Sequence, residues 1–172
     1  MNKDNIRRNI INIFATQVVW FVCVLVGDPG SIVLLLHLLV YQLWIGPLQK
    51  QWPCIALIAA IGFAVDSTIS WLGYLVYPAH LLSDWHIAPL WMAALWCSFA
   101  TLFLYGLQWL QHRLLLAAAL GAIVGAGTYY VGAGLSGARS GINIPEFLVC
   151  HAALWAIMTP LFALLAKGKN HA

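Results

Sequence analysis

Six apolar runs, each long enough to cross a bilayer and almost free of charge, leave this chain one kind of solvent. They fall at about 9–26, 31–48, 53–77, 88–110, 113–135 and 145–166. A transmembrane helix uses about 20 residues, so six of them take up most of a 172-residue chain. The remainder suffices for termini and five short connections. It leaves no room for a nucleotide-binding fold, a soluble catalytic domain or a nucleic-acid module. Composition agrees: 63% of residues are apolar and 8% charged, against about a quarter charged in an ordinary soluble domain. The expectation is an all-α, polytopic membrane protein, a single domain over 1–172 built as a bundle of six transmembrane helices.

Turn chemistry marks the gaps. Gly27-Asp28-Pro29-Gly30-Ser31 stops one helix and caps the next through Ser31. Between Gly46 and Pro53 the chain turns again, with Pro53 suited to the first turn of the third helix. Gln111-His112-Arg113 is so short that helices four and five must be antiparallel neighbours. Orientation follows from the basic residues, which stay on the cytoplasmic side. Lys3, Arg7, Arg8, Lys50, Arg113, Lys167 and Lys169 fall on one side and Arg139 alone on the other. Both termini are therefore expected in the cytoplasm of a bacterial inner membrane, with the first span uncleaved because no small-x-small site follows it. Trp44, Trp52, Trp85, Trp91 and Trp109, near span ends, read as interfacial anchors.

Helices in lipid associate through close packing and polar contacts, so small and polar residues mark the faces turned toward protein. In the third span Ala59, Gly62, Asp66, Ser70 and Gly73 form one stripe at intervals of three or four. Ala118, Gly121, Gly125, Thr128 and Gly132 do the same in the fifth, and Ala94, Ser98, Thr101, Tyr105 and Gln108 in the fourth. These stripes predict a shared seam, for which packing alone is a sufficient reason.

Asp66 is the single charge well inside a span, and a carboxylate at a helix centre costs about 2.5–3.5 kcal/mol to insert. Its retention calls for a proton or ion relay, a ligand counter-charge or a hydrogen-bonded structural lock. At 1.5 Å per residue, Asp66 lies roughly 15 Å below the outer end of its span, and His37 and His151 about 9 Å below theirs. Tyr130 and Gln17 reach similar depths. Asp66, His37, His151, Tyr130 and Gln17 thus form a candidate ligand site in the outer half of the bilayer, against the plainer reading of each as a hydrogen-bonded packing residue. No metal site is expected, since there is no i,i+4 His pair or Cys cluster, and no cofactor. The four cysteines, Cys23, Cys54, Cys97 and Cys150, have no Cys-x-x-Cys spacing. A Cys23–Cys150 disulfide is open by depth but not expected. Pro160 is expected to kink the sixth span. No catalytic signature sequence is present, and the two halves show no repeat of the kind that points to an inverted-repeat transporter.

Four segments together resemble a known family. They are Gln17-Val18-Val19-Trp20-Phe21-Val22-Cys23, Asp66-Ser67, the run from Ala88-Pro89-Leu90-Trp91 to Ala100, and the glycines from Gly121 to Gly134. They are similar to the bacterial membrane family known as domain of unknown function 2878, over essentially the whole chain. The resemblance implies a small inner-membrane protein of Gram-negative bacteria, encoded near lipid-modifying enzymes of the cyclopropane-fatty-acid-synthase type. It points toward envelope lipid metabolism and brings no catalytic residues with it.

The functional expectation is a membrane protein that binds or transports a small or lipidic ligand through an outer-half polar pocket on Asp66. Two alternatives stand beside it: a membrane-embedded lipid-modifying enzyme, with Asp66 or a histidine as acid or base, and an accessory subunit packing a membrane protein partner. The expected partners are the bilayer, a lipid or small molecule, and a membrane protein, with no nucleic acid.

Overall fold

The computed structural model describes residues 3–169. The extreme ends, expected in the cytoplasm, lie outside the described residues. Six helical rods follow one another: α1 (Lys3–Val26), α2 (Asp28–Ile45), α3 (Leu48–Trp71), α4 (Leu90–Leu104), α5 (Leu114–Ser136) and α6 (Ile144–Leu165). Among the described residues the one extended element is a two-residue antiparallel ribbon, β1 (Leu75–Val76) with β2 (Arg139–Ser140). Large apolar side chains such as Leu115, Ile123 and Val149 point outward, and five of the six helices are long and apolar enough to cross a membrane. The protein is all-α and multi-pass.

Contacts fix which ends lie together. Gln51 Nε2 donates to the carbonyl of Lys169 at 3.0 Å and Gln111 Nε2 to that of Ala166 at 3.4 Å, which defines a terminal end. At the opposite, distal end the Asp28 carboxylate accepts from the backbone N–H groups of Leu81 at 2.9 Å and Trp91 at 3.2 Å. Trp91 stands in the first turn of α4, so Asp28 caps that helix from another part of the chain. Asn143 caps α6 locally, its Oδ1 accepting from Glu146 N at 3.0 Å, with Pro145 in the first turn. All four cysteines are free thiols. α6 runs as one helix through Pro160.

α1 begins at Lys3 rather than 9 and α2 runs about three residues earlier than expected, and three further boundaries differ with a visible cause. α3 begins at Leu48, with Pro47 rather than Pro53 leading into its first turn and Gln42 Oε1 accepting the Leu48 N–H at 3.0 Å. It ends at Trp71, not 77. Gly73 adopts the left-handed conformation at φ 73°, and its N–H and that of Tyr74 bond back to Ser70 and Ile69 at 2.9 and 3.1 Å. That is a Schellman turn, so Gly73 ends the helix instead of extending its buried stripe. α4 stops at Leu104 rather than continuing to 110. At about 22 Å it is shorter than the roughly 30 Å hydrocarbon layer.

The short helix is tolerated because it is central: α4 contacts α1, α2, α3 and α6, and Ser98 and every residue from Ala100 to Tyr105 is buried. Irregular backbone at membrane depth survives where protein satisfies it. Here the Gly106 N–H donates to Asn12 Oδ1 at 3.2 Å, and Phe103 O accepts from Gln111 Nε2 at 2.8 Å. Trp91, expected at the interface, belongs to this core at 6% exposure, while Trp44, Trp52, Trp85 and Trp109 are exposed.

Candidate functional site

α3 turns Asp66 inward, leaving it 1% exposed. Its Oδ2 accepts from the indole Nε1 of Trp96 on α4 at 2.6 Å. The Tyr129 hydroxyl of α5 donates to the same carboxyl and lies 2.6 and 2.7 Å from its two oxygens. Gly62, one turn before Asp66 on the same face, makes the approach possible, because a Cβ there would overlap the Trp96 indole. Trp96 stacks on Trp155 of α6 with centroids 5.5 Å apart and planes 10° from parallel. Among the described residues no Lys or Arg forms an ion pair with Asp66.

Tyr129 carries the site toward α6. Its ring lies 4.9 Å from that of His151 and 5.7 Å from that of Trp155. His151 Nδ1 is 2.9 Å from the Phe147 carbonyl, and the Phe147 ring stacks on the imidazole at 4.0 Å. Tyr77, beyond α3, meets Trp91 edge-on with ring centroids 5.8 Å apart. Among the described residues five buried side-chain atoms have no hydrogen-bond partner, and three of them follow one another along α6 from this region, His151 Nε2, Trp155 Nε1 and Thr159 Oγ1; Tyr77 OH is a fourth. Buried polar atoms are ordinarily paired, and each exception calls for an explanation.

A groove of about 410 Å³ runs between α5 and α6 at the distal end, lined by Tyr130, Gly134, Leu135, Ser140, Ile144 and Phe147 among others. Phe147 thus touches the groove and His151. A second lipid-facing groove, between α3 and α6, is lined by Val65, Thr68, Ile69 and Leu154. Those residues include the immediate neighbours of Asp66 and Trp155.

His37 belongs elsewhere. Its Nε2 lies 3.3 Å from Thr101 Oγ1 and its Nδ1 3.4 Å from Ser98 Oγ. Thr101 also accepts from Asn12 Nδ2 at 2.7 Å. Trp96 and Ser98 are two residues apart, about 200° around α4, so the Asp66 and His37 groups lie on opposite sides of that helix. A third layer, toward the terminal end, joins Tyr41, Gln51 and Tyr105, with Tyr41 OH donating to Gln51 Oε1 at 2.6 Å and Gln51 Nε2 to Tyr105 OH at 3.1 Å.

Of the five residues expected to converge, the structure brings Asp66 and His151 together and places His37 in a separate group across α4. Gln17 is a correction, exposed on the outer face of α1; Tyr130 is exposed too and lines the α5–α6 groove instead of reaching Asp66. Depth along a helix says nothing about rotation, and Tyr130 stands about 100° around α5 from the residue that does reach Asp66. Tyr129, Trp96, Trp155 and Phe147 complete the site and were missed. Tyr129 was within reach of the pattern, four residues beyond Gly125 and eight beyond Gly121. The π-helical turn over Gly121–Gly125 adds a residue to that helical turn and brings 129, not 128, onto the buried face; Thr128 is exposed. Such turns recur at functional sites. Among the described residues no three His, Cys, Asp or Glu side chains gather as metal ligands would.

The family described as "Protein of unknown function (DUF2878)" has a model that matches residues 9–161. The chain belongs to that family. The DUF2878 match begins inside α1 and ends inside α6, so every residue of the Asp66 site falls within it. No curated protein matches the chain, and no solved structure does.

Proposed function

We propose that this DUF2878 protein binds or transports a small or lipidic ligand through the polar site built on Asp66, in the membrane half remote from its termini. The observation that carries this reading is the pair of unpaired buried atoms, His151 Nε2 and Trp155 Nε1, on rings packed against Tyr129, which is itself bonded to the Asp66 carboxyl. Each unpaired group loses its hydration without a protein partner in return, and a ligand offering polar atoms at that depth would restore it. Apolar grooves on both sides of α6 supply surface for hydrocarbon. Asp66→Asn replaces one acceptor oxygen by a donor facing Trp96 N–H or Tyr129 O–H, which disturbs the tyrosine that walls His151 and Trp155. The variant is expected to insert and express at the normal level yet lose the lipid or small molecule that copurifies with the wild type, read by mass spectrometry of the purified chain. Unchanged copurification in a folded Asp66→Asn protein would sink the proposal.

A second reading has its own observation. Asp66 is already bonded by two donors and fully enclosed, as a structural lock in an accessory subunit would be. Comparing whole-cell lipid profiles with and without the gene separates the two readings: altered acyl chains favour an accessory subunit or an enzyme, altered leaflet distribution favours transport.

The same proposal places the protein in the bacterial inner membrane with both termini in the cytoplasm, on the strength of the basic residues at the terminal end. In a background with the four native cysteines replaced, a cysteine at the exposed position of Leu81 should react with a membrane-impermeant maleimide in intact spheroplasts. One at Arg113 should react only after lysis. The reverse pattern would invert the topology.

A further inference from the structure

His151, Trp155 and Thr159 follow one another at i, i+4 and i+8 on α6, so they form one row along a single face. All three are buried, at 3–5% exposure, and each carries a polar atom without a partner, Nε2, Nε1 and Oγ1 respectively. The facing row on α5 is Tyr129, Gly125 and Gly121. A Cβ at Gly125 would run into the Trp155 indole, and one at Gly121 into Thr159 and the Trp155 carbonyl. The seam is thus close-packed by glycine on one side and unsatisfied on the other.

The chemistry that would satisfy it can be read from the hydrogen positions that the contacts dictate. The Phe147 carbonyl can only accept, so His151 Nδ1, at 2.9 Å, carries the hydrogen. No acidic group bonds to the ring, and a buried imidazolium without a counter-charge is costly. In the neutral ring Nε2 then presents a lone pair. It needs a donor, whereas Trp155 Nε1–H, one turn away, needs an acceptor. A carbonyl or ether serves only the tryptophan. A hydroxyl serves both, donating its hydrogen to His151 and accepting the indole N–H.

Charge narrows the class further. His151 lies seven residues, roughly 10 Å, inside the distal end of α6. A phosphate or ammonium headgroup brought to that depth would leave water without an Arg or Lys there to receive it, and Asp66 stands behind Tyr129. Arg139, at the distal end beside the groove, is the nearest place in the sequence for an anionic headgroup, and it is not in this layer. The way in is the α5–α6 groove, where Phe147 is both a wall of the groove and the ring stacked on His151.

We infer that the α5–α6 seam recognises an uncharged, hydroxyl-bearing membrane amphiphile, with His151 Nε2 accepting from its hydroxyl and Trp155 Nε1 donating to it. The inference rests on the proposed Asp66 site and names its ligand class. The full-length chain in detergent micelles can be titrated with 1,2-dioctanoylglycerol, its acetylated derivative and dioctanoyl phosphatidic acid, following the Trp155 indole N–H resonance, assigned by its loss in Trp155→Phe. The free hydroxyl compound should shift that resonance saturably, and acetylation should weaken binding about tenfold, the value of one hydrogen bond. His151→Phe should show the same loss, and His151→Gln, which keeps an acceptor, should recover part of it. Equal binding of the acetylated compound, or tighter binding of phosphatidic acid, overturns the hydroxyl assignment. If no probe moves Trp155 while an Asp66-dependent lipid still copurifies, this inference fails and the Asp66 reading stands. If that lipid is missing as well, both fail.

Discussion

Gly62→Ala is expected to leave little folded protein, although it adds one methyl group. The new Cβ would occupy the space of the Trp96 indole, and that ring has nowhere to go. It is stacked on Trp155, meets Phe99 and Phe162 edge-on at 5.6 and 5.7 Å, and is tied to Asp66 through Nε1. Overpacking costs about 1–3 kcal/mol where neighbours give way, and displacing Trp96 removes a hydrogen bond from a buried carboxyl, worth roughly another 1–3 kcal/mol. Against the marginal stability of a small domain, the two together are decisive. Gly127→Ala is the control, since nothing lies within 4 Å of its added Cβ, and it should stay within about 0.5 kcal/mol of wild type. Thermal unfolding in detergent followed by near-UV circular dichroism distinguishes them, and equal melting of both variants would refute the packing assigned to Gly62.

Asn12→Leu should be the second most damaging single change, and for the opposite reason: nothing collides, but a break in a helix loses its support. Asn12 accepts from the Gly106 N–H, where α4 has come undone, and donates to Thr101, which holds His37. Stranding a buried group costs about 1–3 kcal/mol in water-soluble proteins. Measured hydrogen bonds between membrane helices average about 0.6 kcal/mol, because the separated helices find other partners. The backbone N–H of Gly106 is the part least able to find one in the folded state, so a loss of about 2 kcal/mol is the expected balance of these two ranges. Gln17→Leu, five residues later on the same helix, should be neutral or stabilising, since that amide faces lipid. A larger loss at Gln17 than at Asn12, measured by unfolding in the same detergent, would contradict the placement of both.

The contrast between those two residues shows where sequence reasoning succeeds and where it stops. Hydropathy locates the spans because a lipid environment selects long apolar runs whatever their neighbours. The α3 stripe of Ala59, Gly62 and Asp66 emerges correctly as a buried face, because a regular helix converts spacing into direction. Depth arithmetic likewise puts Asp66 and His151 in one layer. It also put His37 there, because counting along a helix gives height but not the rotation that carries Ser98 away from Trp96. Where the helix is irregular, spacing misleads. The π-turn in α5 moves the buried face from Thr128 to Tyr129, and the break after Leu104 is invisible in a run as apolar as Leu90–Leu104. Trp96 and Trp155 escaped notice for a different reason: an indole in a membrane sequence reads as an interfacial anchor unless something in the core is there to accept its N–H.

The Asp28 carboxylate has a bearing on how the protein is made. Its two backbone partners, Leu81 and Trp91, lie 53 and 63 residues further along the chain. At a synthesis rate of about 5–20 residues per second, that separates donor from acceptor by roughly 3–13 s. During that interval the first hairpin of helices is already in the membrane with its distal turn unclasped, and water at the surface can keep the carboxylate solvated at little cost. The clasp closes only when the fourth helix arrives. That helix is too short to hold itself across a bilayer, so the early hairpin waits with a docking point for the segment that most needs one.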